Sequence, residues 1–312
     1  METGERTEQA VMRETLTALT EQRNPATVDI DTVSTADALA MLHAEDARVI
    51  PAVAETLPVL AELVDAAVDR VRAGGRVHYF GAGTSGRLGV LDAAELRPTY
   101  GLSDVVIAHH AGGFQALLTA AENVEDDEAE GARAAADVRD GDVAIGLAAS
   151  GRTPYVAGAL RAARSAGALT ALLTSNPDAT LAPLADLVLA ADTGPEAITG
   201  STRLKAGTAE KLLLNGFSTV LMVRLGRVYS NLMISMLPTN AKLRVRSVHL
   251  LMQATGEDHD RCRQALRAAG DIPTALVLLL AGADIEPGTV ARCRAALDDA
   301  GGVVRVALAA LD

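Results

Sequence analysis

The sequence predicts a doubly wound α/β fold, in which helices cover both faces of a five-stranded parallel sheet. Five short apolar runs of strand length alternate with helical segments and show little polar alternation, as expected of strands covered on both faces. The runs are Val77–Phe80, Val105–Ala108, Val143–Leu147, Leu169–Leu173 and Leu187–Ala190. The composition agrees, because 49% of the residues are hydrophobic but only 2% are aromatic, which suits an Ala-, Leu- and Val-rich core between helices and a sheet. Ligands are expected at the carboxyl ends of such strands.

A long amphipathic helix is expected before the first strand. Apolar residues recur at steps of three and four over residues 53–71, and Gly74 ends the pattern. Pro51 and Pro58 predict a break or a kink in this segment. Ser34 resembles the capping residue of an earlier helix.

Further helices are expected between the strands and after them. Those between the strands surround Gly89–Glu95, Phe114–Glu122, Ala129–Val138 and Pro154–Ala166. A long helix is predicted from Ser201 to about Arg224, and the chain then changes to short helices separated by Gly and Pro. These are Asp258–Ala269, Pro273–Leu280, Pro287–Asp298 and Val303–Leu311. We therefore predict N-terminal helices with an arm at 1–66, the sheet domain at 67–230, and a connecting helix with a small helical C-terminal domain at 231–312.

Charge and cysteine content restrict the partners that this chain is expected to bind. Forty Asp and Glu against 28 Lys and Arg give a net charge of −12, which argues against nucleic acid and anionic membranes. A small anion stays possible, because a few backbone amides can bind phosphate. The N-terminus lacks the apolar core of a signal peptide. Cys262 and Cys293 form no CxxC motif and His109-His110 lacks metal-site spacing, so we expect a reduced, metal-free cytoplasmic protein.

A glycine-rich loop follows the first predicted strand. Residues 81–86 read GAGTSG, a GxGxxG motif whose glycines permit a tight turn and whose helix presents free amides to an anion. A dinucleotide site also needs an acid about 20 residues further on, to hold the ribose hydroxyls. This chain has His109-His110 there. The loop therefore predicts phosphate binding rather than nicotinamide binding.

A second loop of this kind, residues 149–154 (ASGRTP), follows the third predicted strand. Thr153 suits a helix N-cap and Pro154 the first helical position, so ordinary capping is one interpretation. Two hydroxyl-rich loops at neighbouring strand ends favour another, in which hydroxyls, amides and a guanidinium hold one phosphomonoester without a metal. The candidate ligands are Thr84, Ser85, Gly86, Ser150, Gly151, Arg152 and Thr153.

Two groups of carboxylates are candidates for the chemistry. Glu95 lies near the end of the helix that the first loop opens, with Asp92 as its competitor one turn earlier. Six acids also occur within the nine residues Glu122–Glu130. A solvated surface is one interpretation of that cluster. The other is general acid–base work, because neighbouring negative charges favour the protonated form of a carboxyl group.

Longer strings around these residues resemble one family. They are GAGTSGRLG at 81–89, DAAE at 92–95 with PTYG at 98–101, AASGRTPY at 148–155 and TGSTRLKAGT at 199–208. Together with TEQRNP at 20–25 and TNAKL at 239–243, they are similar to the N-acetylmuramic acid 6-phosphate etherases, bacterial enzymes of the sugar-isomerase (SIS) fold. Small departures occur: Leu96-Arg97 replaces a usual Cys-Pro, and Leu204 replaces a Met.

The resemblance implies a cofactor-free reaction in amino-sugar and cell-wall sugar catabolism. The D-lactyl ether of N-acetylmuramic acid 6-phosphate is cleaved by elimination and then hydration, giving N-acetylglucosamine 6-phosphate and D-lactate. The resemblance also implies that Glu95 protonates the departing lactate and that Glu125 removes the C2 proton. Residues 67–230 become a SIS phosphosugar-binding domain, in a homodimer with its site near the interface. The implied sugar-phosphate ligands are Thr84, Ser85, Ser150 and Thr153, with Arg152 as a helper and Ser201 and Lys205 lining the cavity.

Three alternatives stay open. Lys205 has a second interpretation, as a solvated helix charge. An aldose–ketose phosphosugar isomerase shares the fold and also abstracts a C2 proton, but it needs no acid aimed at a C3 leaving group, so Glu95 discriminates between the two. A non-catalytic phosphosugar-sensing regulator is also possible. It would be similar to the glucokinase regulator, which resembles two such units in tandem, whereas this chain has length for one.

Overall fold

The computed structural model describes residues 19–119, 123–236 and 241–311, which form two compact units. The first unit comprises the chain up to Ala93 together with Asp104–Phe217, and the second comprises Ala94–Ser103 and the chain from Ser218 onward. The three-part division at 1–66, 67–230 and 231–312 has other boundaries and stays a prediction. Residues 1–18 of the chain lie outside the described range, as do Glu122 and the first two residues of the TNAKL string.

The first unit is built on a five-stranded parallel sheet, which confirms the predicted fold class. Its strands are β1 (Val77–Gly81), β2 (Val106–His110), β3 (Val143–Leu147), β4 (Leu169–Thr174) and β5 (Leu187–Ala190), in the order β2-β1-β3-β4-β5. Every residue of β1 and β3 is buried. Strands covered on both faces need apolar side chains at every position, which is why short continuous apolar runs located them in the sequence.

Seven helices flank this sheet or lead into it among the described residues. They are α1 (Thr35–Asp46), α2 (Val49–Arg72), α3 (Gly83–Tyr100), α4 (Gly113–Leu118), α5 (Glu128–Ala134), α6 (Pro154–Ser165) and α7 (Lys205–Arg224). The Ser34 side chain accepts a hydrogen bond from the Asp37 amide, which confirms the predicted cap of α1. The residues of α3 beyond Ala93 and of α7 beyond Phe217 belong to the second unit.

Helix α2 contains both prolines that were expected to interrupt it. Pro51 lies in the first turn, where the missing N–H has no helical partner to lose. Pro58 lies inside the helix and removes one backbone hydrogen bond. The helix nevertheless continues to Arg72, because it buries a full apolar face that includes Leu60 and Leu63. The helix therefore has no break, and the alternative expectation, a kink, stays a prediction.

Two other helices begin at residues that differ from the expected ones. Helix α3 begins at Gly83, inside the glycine-rich loop, and runs through Pro98. Helix α7 begins at Lys205 rather than Ser201. The buried carboxylate of Glu196 accepts hydrogen bonds from the amides of Lys205 and Ala206 at 3.0 and 2.9 Å. A carboxylate that satisfies the first free amides fixes where this helix starts.

The second unit contains the helical C-terminal region that the sequence predicts. Its helices are α8 (Ala241–Thr255), α9 (His259–Ala269), α10 (Ile272–Leu280), α11 (Pro287–Asp299) and α12 (Val304–Ala309). A two-stranded hairpin of β6 (Val228–Tyr229) and β7 (Leu232–Met233) precedes them and was not predicted. Cys262 and Cys293 are free thiols in this core. No helix in the described part of the chain combines the length and apolar character needed to cross a membrane.

Candidate functional site

Both predicted ligand loops leave the sheet at its topological switch point. Strands β1 and β3 are parallel neighbours, and their last residues, Gly81 and Leu147, are register partners. The order β2-β1-β3-β4-β5 places the reversal of strand order between these two strands. Connections diverge at such a point and leave a crevice at the carboxyl edge, where doubly wound proteins bind their ligands. The two loops therefore share the position at which the fold favours a ligand.

Close packing explains the glycines of the first loop. A Cβ atom on Gly86 would lie 2.5 Å from the carbonyl oxygen of Gly81 and 2.6 Å from Cδ2 of His110. Gly83 has a φ of +54° and opens helix α3. Thr84 and Ser85 consequently occupy the first turn of an 18-residue helix, where amides lack helical partners and the dipole favours an anion. Thr84 and Ser85 thus lie at a helix N-terminus, as predicted, whereas the Gly86 amide donates to the carbonyl of Ala82 at 3.1 Å.

The end of strand β4 holds the second loop in place. The side-chain amide of Asn176 donates to the carbonyl of Ser150 at 3.0 Å, and the hydroxyl of Thr174 donates to that of Ala149 at 3.1 Å. Gly151 has a φ of +68°, and a Cβ atom there would lie 2.3 Å from Cβ of Ala179. Sequence reasoning missed Asn176 and Thr174, because their role depends on the adjacency of β3 and β4.

Thr153 and Arg152 keep polar atoms that the described fold does not use. Thr153 occupies the N-cap of α6 and Pro154 the first helical position, as predicted, but the Thr153 side chain makes no capping hydrogen bond. Within the described residues, Nε of Arg152 is buried and has no hydrogen-bond partner. Because the Thr153 hydroxyl is not used for capping, the structure favours the interpretation of Thr153 as a ligand over its interpretation as an ordinary N-cap.

The candidate catalytic carboxylates are both exposed. Glu95 lies on the part of α3 that belongs to the second unit, three turns after Thr84 on the same helix. Its competitor Asp92 accepts a hydrogen bond from the hydroxyl of Tyr79 at 3.1 Å. Glu125 lies in the first unit, in a short 3₁₀ turn, Val124–Asp126, that packs against α6. Helix α6 begins at the second ligand loop.

Most other acids of the 122–130 cluster have structural partners. Asp127 caps α5 by accepting from the Glu130 amide at 2.8 Å, and Glu130 pairs with Arg133. Glu128 pairs with Arg161. Glu125 and Asp126 have no such partner among the described residues, so both carboxylates stay available for other contacts.

Lys205 is neither a solvated charge nor an open cavity residue. Its side chain is 1% exposed, and its ammonium lies 2.5 Å from Oε2 of Glu45. Asn24 donates a second hydrogen bond to that carboxylate at 2.7 Å. Burial alone would raise the pKa of Glu45, but the Lys205 and Asn24 hydrogen bonds lower it overall. Lys205 therefore holds the start of α7, and we leave it out of the proposed ligand set. Ser201 stays partly exposed just before that helix.

Glu210 was not predicted, although it contacts a predicted ligand. It lies on α7, where its side chain hydrogen-bonds that of Ser85. Burial raises the pKa of Glu210 to about 7, and the Ser85 hydrogen bond opposes the shift. The sequence held one signal, since Glu210 interrupts a stripe of buried residues at helical spacing: Ala206, Leu213, Phe217 and Leu221.

The fold defines a SIS-type domain, and two glycine- and hydroxyl-rich loops lie at its switch point. Residues 59–164 match the family model described as the glucokinase regulatory protein N-terminal SIS domain. The N-acetylmuramic acid 6-phosphate etherase of Thermobifida fusca is 58% identical over 269 residues, which are 86% of this chain and 88% of that relative. The etherase of Cutibacterium acnes is 49% identical over 295 residues, covering 93% and 95%. The chain belongs to the N-acetylmuramic acid 6-phosphate etherase family, which confirms the resemblance.

Among solved structures, a phosphoheptose isomerase from Francisella tularensis is similar with a TM-score of 0.49 and 19% identity. The match covers 61% of this chain and 100% of that one.

Proposed function

We propose that this protein cleaves the D-lactyl ether of N-acetylmuramic acid 6-phosphate to N-acetylglucosamine 6-phosphate and D-lactate. The observation that carries the proposal is the 58% identity to a named etherase over 86% of the chain. The ligand loops at the switch point support it, because they offer hydroxyls and amides to a phosphate group. Reactions of this kind belong to amino-sugar metabolism, and we place the protein in the cytoplasm on the strength of that substrate.

The phosphate ligands that we propose come from the two loops. The Thr84 and Ser85 hydroxyls and the free amides of the first turn form one side of the cradle. Gly86 permits the close packing behind them, since its own amide donates to the carbonyl of Ala82 at 3.1 Å. The second loop forms the other side with the Ser150 and Thr153 hydroxyls and the Arg152 guanidinium, and Ser201 contacts the sugar. Gly151, a predicted ligand, instead shapes the loop, because its amide already donates to the carbonyl of Ala148 at 2.8 Å. Direct hydrogen bonds from neutral and cationic donors suit a dianionic phosphomonoester.

The proposed chemistry uses two proton-transferring carboxylates. Once the sugar ring opens, the C2 hydrogen is α to an aldehyde and is acidic. Glu125 takes that proton, the C2–C3 double bond forms, and the C3–O bond breaks as Glu95 protonates the departing lactate oxygen. Water then adds at C3 while Glu95 accepts its proton and Glu125 returns one to C2. Each carboxylate ends in its starting state, and no electron acceptor is required.

We further propose that the protein works as a homodimer. Phe114 and Leu118 on α4 are 71% and 73% exposed, and Leu91 on α3 is 47% exposed. Arg87 joins these two helices, since its guanidinium donates to the carbonyls of Ala116 and Leu117. Exposed apolar residues on adjoining helices favour burial against a partner. Glu95 lies one turn after Leu91, so a second copy covering this face would bring Glu95 into the interface.

The test of the activity is release of D-lactate from N-acetylmuramic acid 6-phosphate in ¹⁸O-labelled water. Elimination and hydration predict D-lactate without label and N-acetylglucosamine 6-phosphate labelled at C3. Conversion of aldose to ketose without D-lactate would instead indicate the isomerase. Binding of the sugar phosphate with no reaction would indicate a regulator.

The test of the dimer is sedimentation velocity. The wild-type protein is expected to sediment as a dimer, and the double variant F114E/L118E as a monomer. A monomeric wild-type protein with full activity would contradict the proposed assembly.

A further inference from the structure

Glu210 and Ser85 form a buried pair behind the first ligand loop. Glu210 is 5% exposed and Ser85 is 9% exposed. The Ser85 hydroxyl hydrogen-bonds the Glu210 carboxyl group, while Oε1 of Glu210 is buried without a partner within the described residues. The α7 backbone approaches the loop closely here, since a Cβ atom on Gly207 would lie 3.5 Å from Cγ2 of Thr84. A buried carboxyl group with one free oxygen is an unusual neighbour for an anion site.

The charged groups on the surrounding elements have hydrogen-bond or ion-pair partners other than Glu210. On α7 itself, Lys205 pairs with Glu45 and Lys211 contacts Asn215. On α3, the Arg87 guanidinium donates to backbone carbonyls of α4 and Asp92 accepts from Tyr79. On β2, His110 contacts the carbonyl of Gly83, and before α7 Glu196 accepts from two helix amides. Burial therefore raises the pKa of Glu210 to about 7 without a compensating cation.

A serine hydroxyl has a single proton, so the protonation state of Glu210 decides whether Ser85 can donate a hydrogen bond to a ligand in the loop. An ionised Glu210 accepts that proton and leaves only the lone pairs of Oγ facing outward. A protonated Glu210 donates its own hydrogen to Oγ, and the Ser85 proton is then free to donate to a phosphate oxygen. A dianionic phosphate also repels the ionised carboxylate.

We propose that Glu210 is a positioning residue that must carry a proton for Ser85 to donate to the phosphate of the substrate, so that sugar-phosphate binding takes up one proton. The proposal rests on the proposed function in one respect, the role of Ser85 as a phosphate ligand. Glu210 touches neither the substrate nor the reacting atoms.

The test is calorimetric binding of N-acetylglucosamine 6-phosphate from pH 6.5 to 8.5, in buffer pairs with different ionisation enthalpies. The phosphomonoester has its second pKa at about 6 and is mostly dianionic over this range. The dissociation constant of the wild-type protein is expected to rise about 25-fold from pH 6.5 to 8.5, with uptake of about one proton at pH 8.5. In E210Q the amide donates to Ser85 permanently, so the dissociation constant is expected to change less than about threefold.

A control variant and an infrared measurement test the proposal further. E62Q, which neutralises an exposed acid on α2, is expected to keep the wild-type pH profile. The infrared carbonyl band of a protonated carboxylic acid is expected to appear when the wild-type protein binds the sugar phosphate at pH 8.5, and to be missing in E210Q. Equal pH slopes in the wild type and E210Q would overturn this proposal alone. No binding at any pH would overturn the proposed function as well.

Discussion

Glu45 and Lys205 form an ion pair that is almost fully withdrawn from water, with Nζ 2.5 Å from Oε2 and side-chain exposures of 5% and 1%. The pair joins the end of α1 to the first residue of α7, which are 160 residues apart in sequence. It therefore fixes the helix that carries Glu210 relative to the N-terminal part of the same unit.

Replacing Lys205 with Met is expected to destabilise the protein by about 3–5 kcal/mol, because the Glu45 carboxylate stays buried without its cation. The double variant E45Q/K205M is expected to lose less than the sum of the two single variants. Urea unfolding at pH 7 measures both effects. K211M is the matched control, because it removes an exposed Lys from the same helix and should change stability by less than ~0.5 kcal/mol. An unchanged midpoint for K205M would contradict the role of the pair.

The two proposed catalytic acids are separable by experiment. E95Q and E125Q are each expected to lower kcat for D-lactate release by at least ~100-fold while N-acetylglucosamine 6-phosphate still binds. In heavy water, E95Q should still exchange the C2 hydrogen of the substrate, whereas E125Q should not. D126N, which alters the acid next to Glu125, is the control and should keep a near-normal rate. Loss of exchange in E95Q rather than E125Q would reverse the two roles.

Gly151 is expected to tolerate no side chain. G151A places a Cβ atom 2.3 Å from that of Ala179 on a backbone with a φ of +68°. We expect a loss of about 2–4 kcal/mol in the free energy of unfolding and weaker sugar-phosphate binding. Gly194 has a nearly identical φ of +66° but open space around it. G194A should therefore lose only about 1 kcal/mol, and similar losses in thermal unfolding of the two variants would count against the packing explanation.

Acid is expected to destabilise the first unit through a histidine pair. Burial and the neighbouring His78 lower the pKa of His109 to about 4. The folded state favours the neutral ring, so His109 contributes fully to the free energy of unfolding above about pH 6.5, the pKa of the unfolded state. That contribution is lost as the pH falls toward 4. The loss amounts to roughly 3 kcal/mol for His109. H109F keeps the ring stacked on Phe80 and removes the titration, so its unfolding free energy should fall less between pH 6.5 and 4. A parallel decline in both proteins would contradict the assignment.

The sheet could be predicted because each strand carries its own signal, a short apolar run that is buried on both faces. The positions of the two glycine- and hydroxyl-rich loops could also be predicted, since their glycines and hydroxyls are local in sequence, while their role as ligands stays a prediction. The start of α7 could not, because it depends on a carboxylate nine residues away, Glu196. The burial of Lys205 could not be predicted either, because it depends on an ion pair with Glu45, a residue 160 positions away. Asn176 acts only once β3 and β4 are neighbours.

The hydrogen bonds from Asn176 and Thr174 to the second loop have a consequence for the speed of binding. They hold the loop backbone in place before any ligand arrives, so the loop entropy is already lost when the chain folds. Under the proposed function, a sugar phosphate that reaches this edge of the sheet finds its donors oriented, so we expect no slow loop closure to limit its association rate. The side chains that we expect to influence this rate therefore lie at the end of a neighbouring strand and need not touch the ligand.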